Sequence, residues 1–347
     1  MGFTRRRLLS ATVGAVGTSA FAGCLGDTGL AGGQESAGSV ARSTFFVFDS
    51  VAAQVAGDAA TADLLVPIGQ HGHGWEPGPR VREDVHTADL LVHGMDGFQP
   101  WADDIRADLD ADDSRVVAVD ASAGLDLLEA GGNHDDEAHH DEEDDHEEDD
   151  HEETHEEGGH EGGDGHDHGG GMDPHFWMDA LRARDAVGNV RRGLVDVDPE
   201  NAEAYAENAD AFRDRLEDLH ERVASTVAAA SNETVLVAGH DSFQYFSDRY
   251  GVTVEALTNV SPDDRPTTRD IERAQEVIDA HDLRYICADP LESQRAADQL
   301  VDETDVEAVL PLTAMPGLTD EWANEEWGYV EIMERVNLPT LEQALDA

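Results

Sequence analysis

The chain has 347 residues, enough for roughly two domains of ordinary size, and carries 77 acidic residues against 22 basic ones, all of them arginine. An excess of this sign argues against nucleic acid as a partner, because phosphate backbones are gripped by clustered lysine and arginine. Part of it sits in residues 134–168, which hold 19 acids, no base and nine of the 17 histidines; the remainder still has 58 acids against 22 arginines. A lysine-free surface this acidic suits concentrated salt, where a Debye length of about 3 Å at 1 M screens the self-repulsion, so the source is expected to be a halophile.

The first 23 residues read as an export address. Arginines 5–7 precede a short stretch rich in Gly and Ala, too weakly apolar for a comfortable membrane span. The paired arginines resemble a twin-arginine signal and Phe21-Ala-Gly-Cys24 resembles a lipobox, which predicts a mature chain lipidated at Cys24 and held on the outer face of the cytoplasmic membrane. Residues 24–42, rich in Gly, Ala and Ser, then form a flexible tether. With Cys24 modified, Cys287 has no disulfide partner and is expected to be a buried core residue.

From residue 43 onward, short β-rich apolar runs alternate with helical patterns, the signature of parallel sheets in an α/β fold. Strands are expected near 44–48, 62–68, 89–93 and 114–119, forming with their helices a first lobe over 43–197. Residues 133–171 interrupt it with a His/acid-rich loop too poor in apolar side chains to order itself. A linking helix follows over 198–231, with Asp198 as N-cap and Ala204, Ala209, Phe212, Leu216, Leu219 and Val223 on one face; at 1.5 Å per residue it reaches roughly 45 Å. A second lobe over 232–347 has expected strands at 234–238, 253–257, 283–288 and 306–312, a helix over 266–280 capped by Thr268, and closing helices at 321–335 and 340–347. Two four-stranded, mainly parallel sheets joined by one long helix place a crevice between them at the carboxyl ends of the strands.

Three histidines fall at that crevice. His73 follows the second strand in Pro67-Ile-Gly-Gln-His-Gly-His-Gly-Trp-Glu-Pro77, His175 lies in Asp173-Pro-His-Phe-Trp-Met-Asp179, and His240 ends the fifth strand in Val235-Leu-Val-Ala-Gly-His-Asp241. Three neutral imidazoles can hold zinc at about 2.0–2.1 Å and leave one tetrahedral position open. Imidazoles suit zinc, copper and nickel, whereas manganese prefers oxygen donors. His86, His93, His220 and His281 lack such surroundings and read as ordinary residues. The histidines of 134–168 alternate with carboxylates in a pattern suited to weak, exchangeable metal binding.

These motifs resemble the ABC-importer binding proteins specific for zinc, manganese or iron, over residues 44 to the C-terminus. Val55-Ala-Gly-Asp58, Pro67-Ile-Gly and His73-Gly-Trp-Glu-Pro77 are similar to that family's first ligand motif, Asp173-Pro-His175 matches its second, and His240-Asp-Ser-Phe-Gln-Tyr-Phe246 with Tyr250-Gly-Val resembles its third. The resemblance implies two lobes spanned by a rigid helix, a metal at their interface, and capture of zinc for delivery to a membrane permease and its ATPase by a monomeric binding protein. Thr313 stands where the family often has an Asp ligand, so the fourth position is open to water, which is favoured, or to His71, Asp241 or Glu292. A manganese- or iron-binding importer protein is the close alternative. A secreted zinc-dependent hydrolase is the enzymatic one, although no His-Glu-x-x-His helix or Gly-x-Ser-x-Gly turn supports it.

Overall fold

The computed structural model describes residues 38–131, 171–261 and 264–347. The expected signal, Cys24, most of the expected tether and the run 134–168 lie outside the described residues. In the first half, β1 (Val40–Ser43), α1 (Phe46–Ala56), β2 (Thr61–Leu64), α2 (Pro79–His86), β3 (Leu90–His93), α3 (Pro100–Ala111) and β4 (Val117–Asp120) precede α4 (Ala180–Val197) and the long α5 (Ala202–Ala229). The second half runs β5 (Thr234–His240), α6 (Gln244–Tyr250), β6 (Thr253–Thr258), α7 (Thr268–Ala280), β7 (Tyr285–Ala288), α8 (Arg295–Glu303), β8 (Ala308–Pro311), α9 (Asp320–Asn324), α10 (Tyr329–Ile332) and α11 (Leu338–Ala344).

Both sheets are parallel and share one strand order, β2-β1-β3-β4 and β6-β5-β7-β8. Parallel strands need helical crossovers, so each sheet is covered on both faces and central strands such as Leu90–His93 are fully buried. One outer face packs on α2 and α3 through Val85, Trp101, Ile105 and Leu109, the other on α7 and α8 through Ile271, Ile278, Ala297 and Leu300. Their remaining faces meet a single core to which α1, α4, α5 and α11 all contribute.

Helix α5 spans about 42 Å for its 28 residues. It buries Tyr205, Ala209, Phe212, Leu216, Leu219 and Val223, a stripe of alternating four- and three-residue steps, and burying each large member stabilises by about 1.5–3 kcal/mol. The stripe starts at Tyr205 rather than the expected Ala204, because the Tyr205 hydroxyl reaches Asp198 Oδ2 at 2.7 Å while its ring fills the core. The helix touches α1 and α4 in one half and α6, α10 and α11 in the other, and Arg215 bridges Gln54 (3.1 Å) and Glu331 (2.6 Å) across them.

Several boundaries differ from expectation. β1 begins at Val40, inside the expected tether, and 46–56 is a helix rather than part of a strand over 44–48. The aromatic run 45–48 looks extended because it is apolar without a gap, but α1 is enclosed on nearly every side, which erases the helical period. Thr267, not Thr268, caps α7, in a reciprocal capping box with Asp270. The expected helix 321–335 is broken between α9 and α10, and 329–344 continues through a π-helical turn at Met333–Asn337. Cys287 is fully buried, and burial pushes its thiol up to about 12, as a core residue requires. Among the described residues no helix is long and apolar enough to cross a membrane.

Asp49, in the first turn of α1, has a buried Oδ1 without a hydrogen-bond partner. Burial foremost, then the charge of Asp63, pushes its carboxyl from 3.8 up to about 7 against the opposing pull of Arg42. The folded state therefore favours the protonated acid, and its contribution to stability is lost as pH rises from about 4 to about 7. Asp49→Asn is expected to remove that loss; thermal melts of both proteins across this window should diverge with rising pH, the variant melting higher at pH 7.

Candidate metal centre

In a sheet of order 2-1-3-4 the connections leave the central pair in opposite directions, and the crevice at this switch point collects ligand-binding residues. In the second half it lies beyond β5 and β7, and the residues there are His240, at the end of β5, and Asp289 to Glu292, just after β7. In the first half it is filled by Thr44 and Phe45 after β1 and by the 65–78 loop after β2, which carries His71 and His73.

That loop is fastened on both sides. Gln99 donates from Nε2 to the carbonyls of Thr44 and Gly72, each at 3.0 Å. Across the crevice, Gly69 N donates to Leu318 O at 2.7 Å and Gly72 N to Pro316 O at 2.8 Å. The approach depends on missing side chains: a Cβ on Gly317 would lie 2.3 Å from Gln70 O, and one on Gly72 would lie 2.7 Å from the Phe45 ring. His73 packs edge-on against Phe98 and Phe45, with ring centroids at 4.7 and 5.4 Å.

His175 comes from the opposite wall. Asp173 Oδ1 accepts from its backbone N (2.8 Å) and from its ring Nδ1 (2.7 Å), so this fully buried carboxylate sets both the tautomer and the ring direction and leaves Nε2 facing the crevice. Asp173 is itself pinned, its N donating to Leu128 O at 2.8 Å and its O accepting from the Tyr245 hydroxyl at 2.7 Å. Downstream, the Trp177 indole donates to Ala314 O (2.8 Å), and Asp179 caps α4 while pairing with Arg182 (2.9 Å) and Arg249 (2.6 Å). An antiparallel bridge between Glu129 and Met172 joins the two strands of chain that flank 132–170 immediately beside this segment.

The three expected histidines come together. One ring nitrogen from each of His73, His175 and His240 lies within 4.8 Å of the others, and the ring centroids are 5.1 to 5.8 Å apart. A tetrahedral ion at about 2.0–2.1 Å from each nitrogen sets the nitrogens ~3.4 Å apart. Small side-chain rotations span the difference. Nε2 of His175 and Nε2 of His240 are buried without a hydrogen-bond partner, a costly arrangement for neutral imidazoles unless a cation takes the lone pairs.

A second group, His71, His240 and Glu292, shares His240. Glu292 Oε1 lies 2.7 Å from His240 Nδ1 and 3.6 Å from His71 Nε2. Burial raises the Glu292 carboxyl, but these two imidazoles outweigh it and hold the group down to about 2. Asp241 belongs to neither group; its backbone N bonds to Thr258 O and Asn259 O. Thr313 is buried, and its hydroxyl donates to Asp289 Oδ2 at 2.5 Å while accepting from Met315 N. Burial, then the charge of Glu292, pushes Asp289 up to about 6. His93, His220 and His281 are partnered locally by Gly94 O, the Tyr250 hydroxyl and Thr234 Oγ1.

The sequence reading did not single out Asp173 as the residue that orients His175, although its place two residues before the histidine is the signal. It also passed over Gly72 and Gly317, whose role depends on a contact between loops far apart in the chain. Gly317→Ala is expected to destabilise the fold by about 1–3 kcal/mol, whereas Gly78→Ala, whose added Cβ meets nothing within 4 Å, should stay within about 0.5 kcal/mol. Denaturant unfolding of the two variants measures the difference.

A family model described as zinc-uptake complex component A, periplasmic, matches residues 42–344. The high-affinity zinc uptake system protein ZnuA of Bacillus subtilis is 28% identical over 302 residues, covering 87% of this chain and 86% of that protein. The zinc-binding lipoprotein AdcA of Streptococcus pneumoniae is 29% identical over 303 residues, covering 87% of this chain but 55% of its own length, so the chain spans about half of that relative. Among solved structures, the Zn(II)-bound ZnuA-like domain of Streptococcus pneumoniae AdcA superposes with a TM-score of 0.68 at 24% identity, over 89% of this chain and 100% of that one. The metal-dependent lipoprotein YcdH of Bacillus subtilis does so with a TM-score of 0.67 at 25% identity, over 88% and 99%. With nearly the whole described fold inside the matched span, the chain belongs to the family of periplasmic zinc-uptake complex component A proteins.

Proposed function

We propose that this protein captures zinc outside the cytoplasmic membrane with His73, His175 and His240 and delivers it to an ABC permease and its ATPase. The observation that carries the reading is that His175 and His240, each with a buried, unpartnered Nε2, offer ring nitrogens within 4.8 Å of one on His73. Three imidazoles favour zinc over manganese or iron, and the zinc-uptake names of the relatives point the same way. The family is one of uptake components, not enzymes, so the hydrolase alternative is set aside.

Capture and release follow from where the ligands are attached. His240 sits on the second sheet, His73 on a loop of the first half, and His175 on the segment leading into α4, so separating the halves pulls His240 away from its partners. Asp173 holds the His175 ring through its two hydrogen bonds. The bonds from Gly69 and Gly72 to residues 316–318 hold the crevice shut around the ion. Export through a twin-arginine signal, anchoring by lipid at Cys24, monomeric action and adaptation to concentrated salt complete this reading on the strength of the sequence. In it, residues 134–168 gather zinc by weak rebinding beside Asp173 and His175.

Metal-stripped full-length protein is expected to take up one zinc that survives a chelator wash. His175→Ala should lose it, and Asp173→Asn should weaken it by about 10–100-fold, the usual effect of removing a partner that orients a ligand. Chelator competition reads both. Full affinity in His175→Ala would remove the site from consideration.

A further inference from the structure

We infer that His71, His240 and Glu292 form a second zinc position on the solvent side of the three-histidine group, sharing His240 with it. The inference rests on the zinc reading above and adds a station to it. His71 Nε2 and both ring nitrogens of His240 are buried without an aligned hydrogen bond, yet Glu292 Oε1 lies 2.7 Å from His240 Nδ1 and 3.6 Å from His71 Nε2. The three side chains thus face one another at ion-pair distances but off the hydrogen-bond directions, as donors converging on a cation do.

The carboxylate is placed by its surroundings. Glu292 N donates to Asp289 O at 3.0 Å, and Leu291 N to Asp289 Oδ1 at 2.8 Å, which fixes the turn after β7. Gly239 leaves room for the carboxylate, since a Cβ there would lie 2.5 Å from Glu292 Oε2. Two members of this group, His71 and Glu292, are partly exposed at 20% and 19%, whereas the three-histidine group has only His73 partly exposed and His175 fully buried, so this group is the outer of the two.

Two imidazoles and one carboxylate are a donor set that zinc accepts while keeping a position open to water. Such a site exchanges its ion more readily than a closed one. With Nδ1 of His240 turned to Glu292, Nε2 is the atom left for the inner group. A zinc ion held outside already touches the imidazole it needs inside. Moving inward exchanges Glu292 and His71 for His73 and His175 without release into bulk water.

The test is zinc titration of the full-length protein by chelator competition, comparing His175→Ala with His175→Ala/Glu292→Gln; residues 134–168 are present in both and contribute equally. His175→Ala is expected to lose the tight zinc but retain a weaker one, which the second substitution weakens further by at least about 10-fold, the minimum effect of removing a supporting group. If His175→Ala does not fold, His73→Ala and His73→Ala/Glu292→Gln serve in its place. Identical titrations of the single and double variants would overturn the outer position while leaving the three-histidine reading intact. Tight binding retained in His175→Ala but lost in the double variant would instead overturn the three-histidine reading and make the outer group the principal site.

Discussion

Two imidazole nitrogens buried without hydrogen-bond partners are what the rest of this structure has to sustain. Folding takes Nε2 of His175 and of His240 out of water and gives them no donor in return, at a cost of about 1–3 kcal/mol for each such group. A cation reverses that cost. Imidazole nitrogens are ligands that zinc accepts, so in the proposed reading an ion takes up the lone pairs that folding leaves unpartnered. In the proposed reading, the affinity for an ion derives from how rigidly the walls hold the rings.

That rigidity is distributed over the whole fold. Two sheets of identical order are joined by α5, which contacts helices of both halves and buries one stripe of apolar side chains. Asp173 fixes one ring, the Phe45 and Phe98 rings wall a second, and Glu292 approaches the third. Backbone hydrogen bonds from Gly69 and Gly72 to residues 316–318 tie the two walls together, an approach that side chains at Gly72 and Gly317 would block. Thr313, standing where relatives of this family often carry an acid, uses its hydroxyl on Asp289, and Glu292 is the carboxylate nearest the histidines.

Much of this was legible in the residues because strand ends and turn chemistry are local signals. Val235 to His240 is an unbroken apolar run ended by a histidine, and the run does become a central strand with His240 at its carboxyl end. The stripe on α5 announced a long helix because it is half exposed and keeps its period. What escaped was set by tertiary context. Phe46 to Ala56 is apolar on almost every face, so its helical period is hidden and its aromatic start imitates a strand. Thr267 and Thr268 are equivalent as caps until Asp270 closes the box on the first of them. His71 and Glu292 stood among the candidates for the fourth position, but their pairing with each other at His240 joins residues more than two hundred positions apart, a distance over which no sequence period carries information.

The most direct measurement is a crystal structure of the full-length protein loaded with one equivalent of zinc, with the ion located by its anomalous signal at the zinc edge. A single principal site bonded to His73, His175 and His240 at about 2.0–2.1 Å is the expected result. Zinc bound elsewhere, with these three imidazoles still apart and uncoordinated, would contradict it.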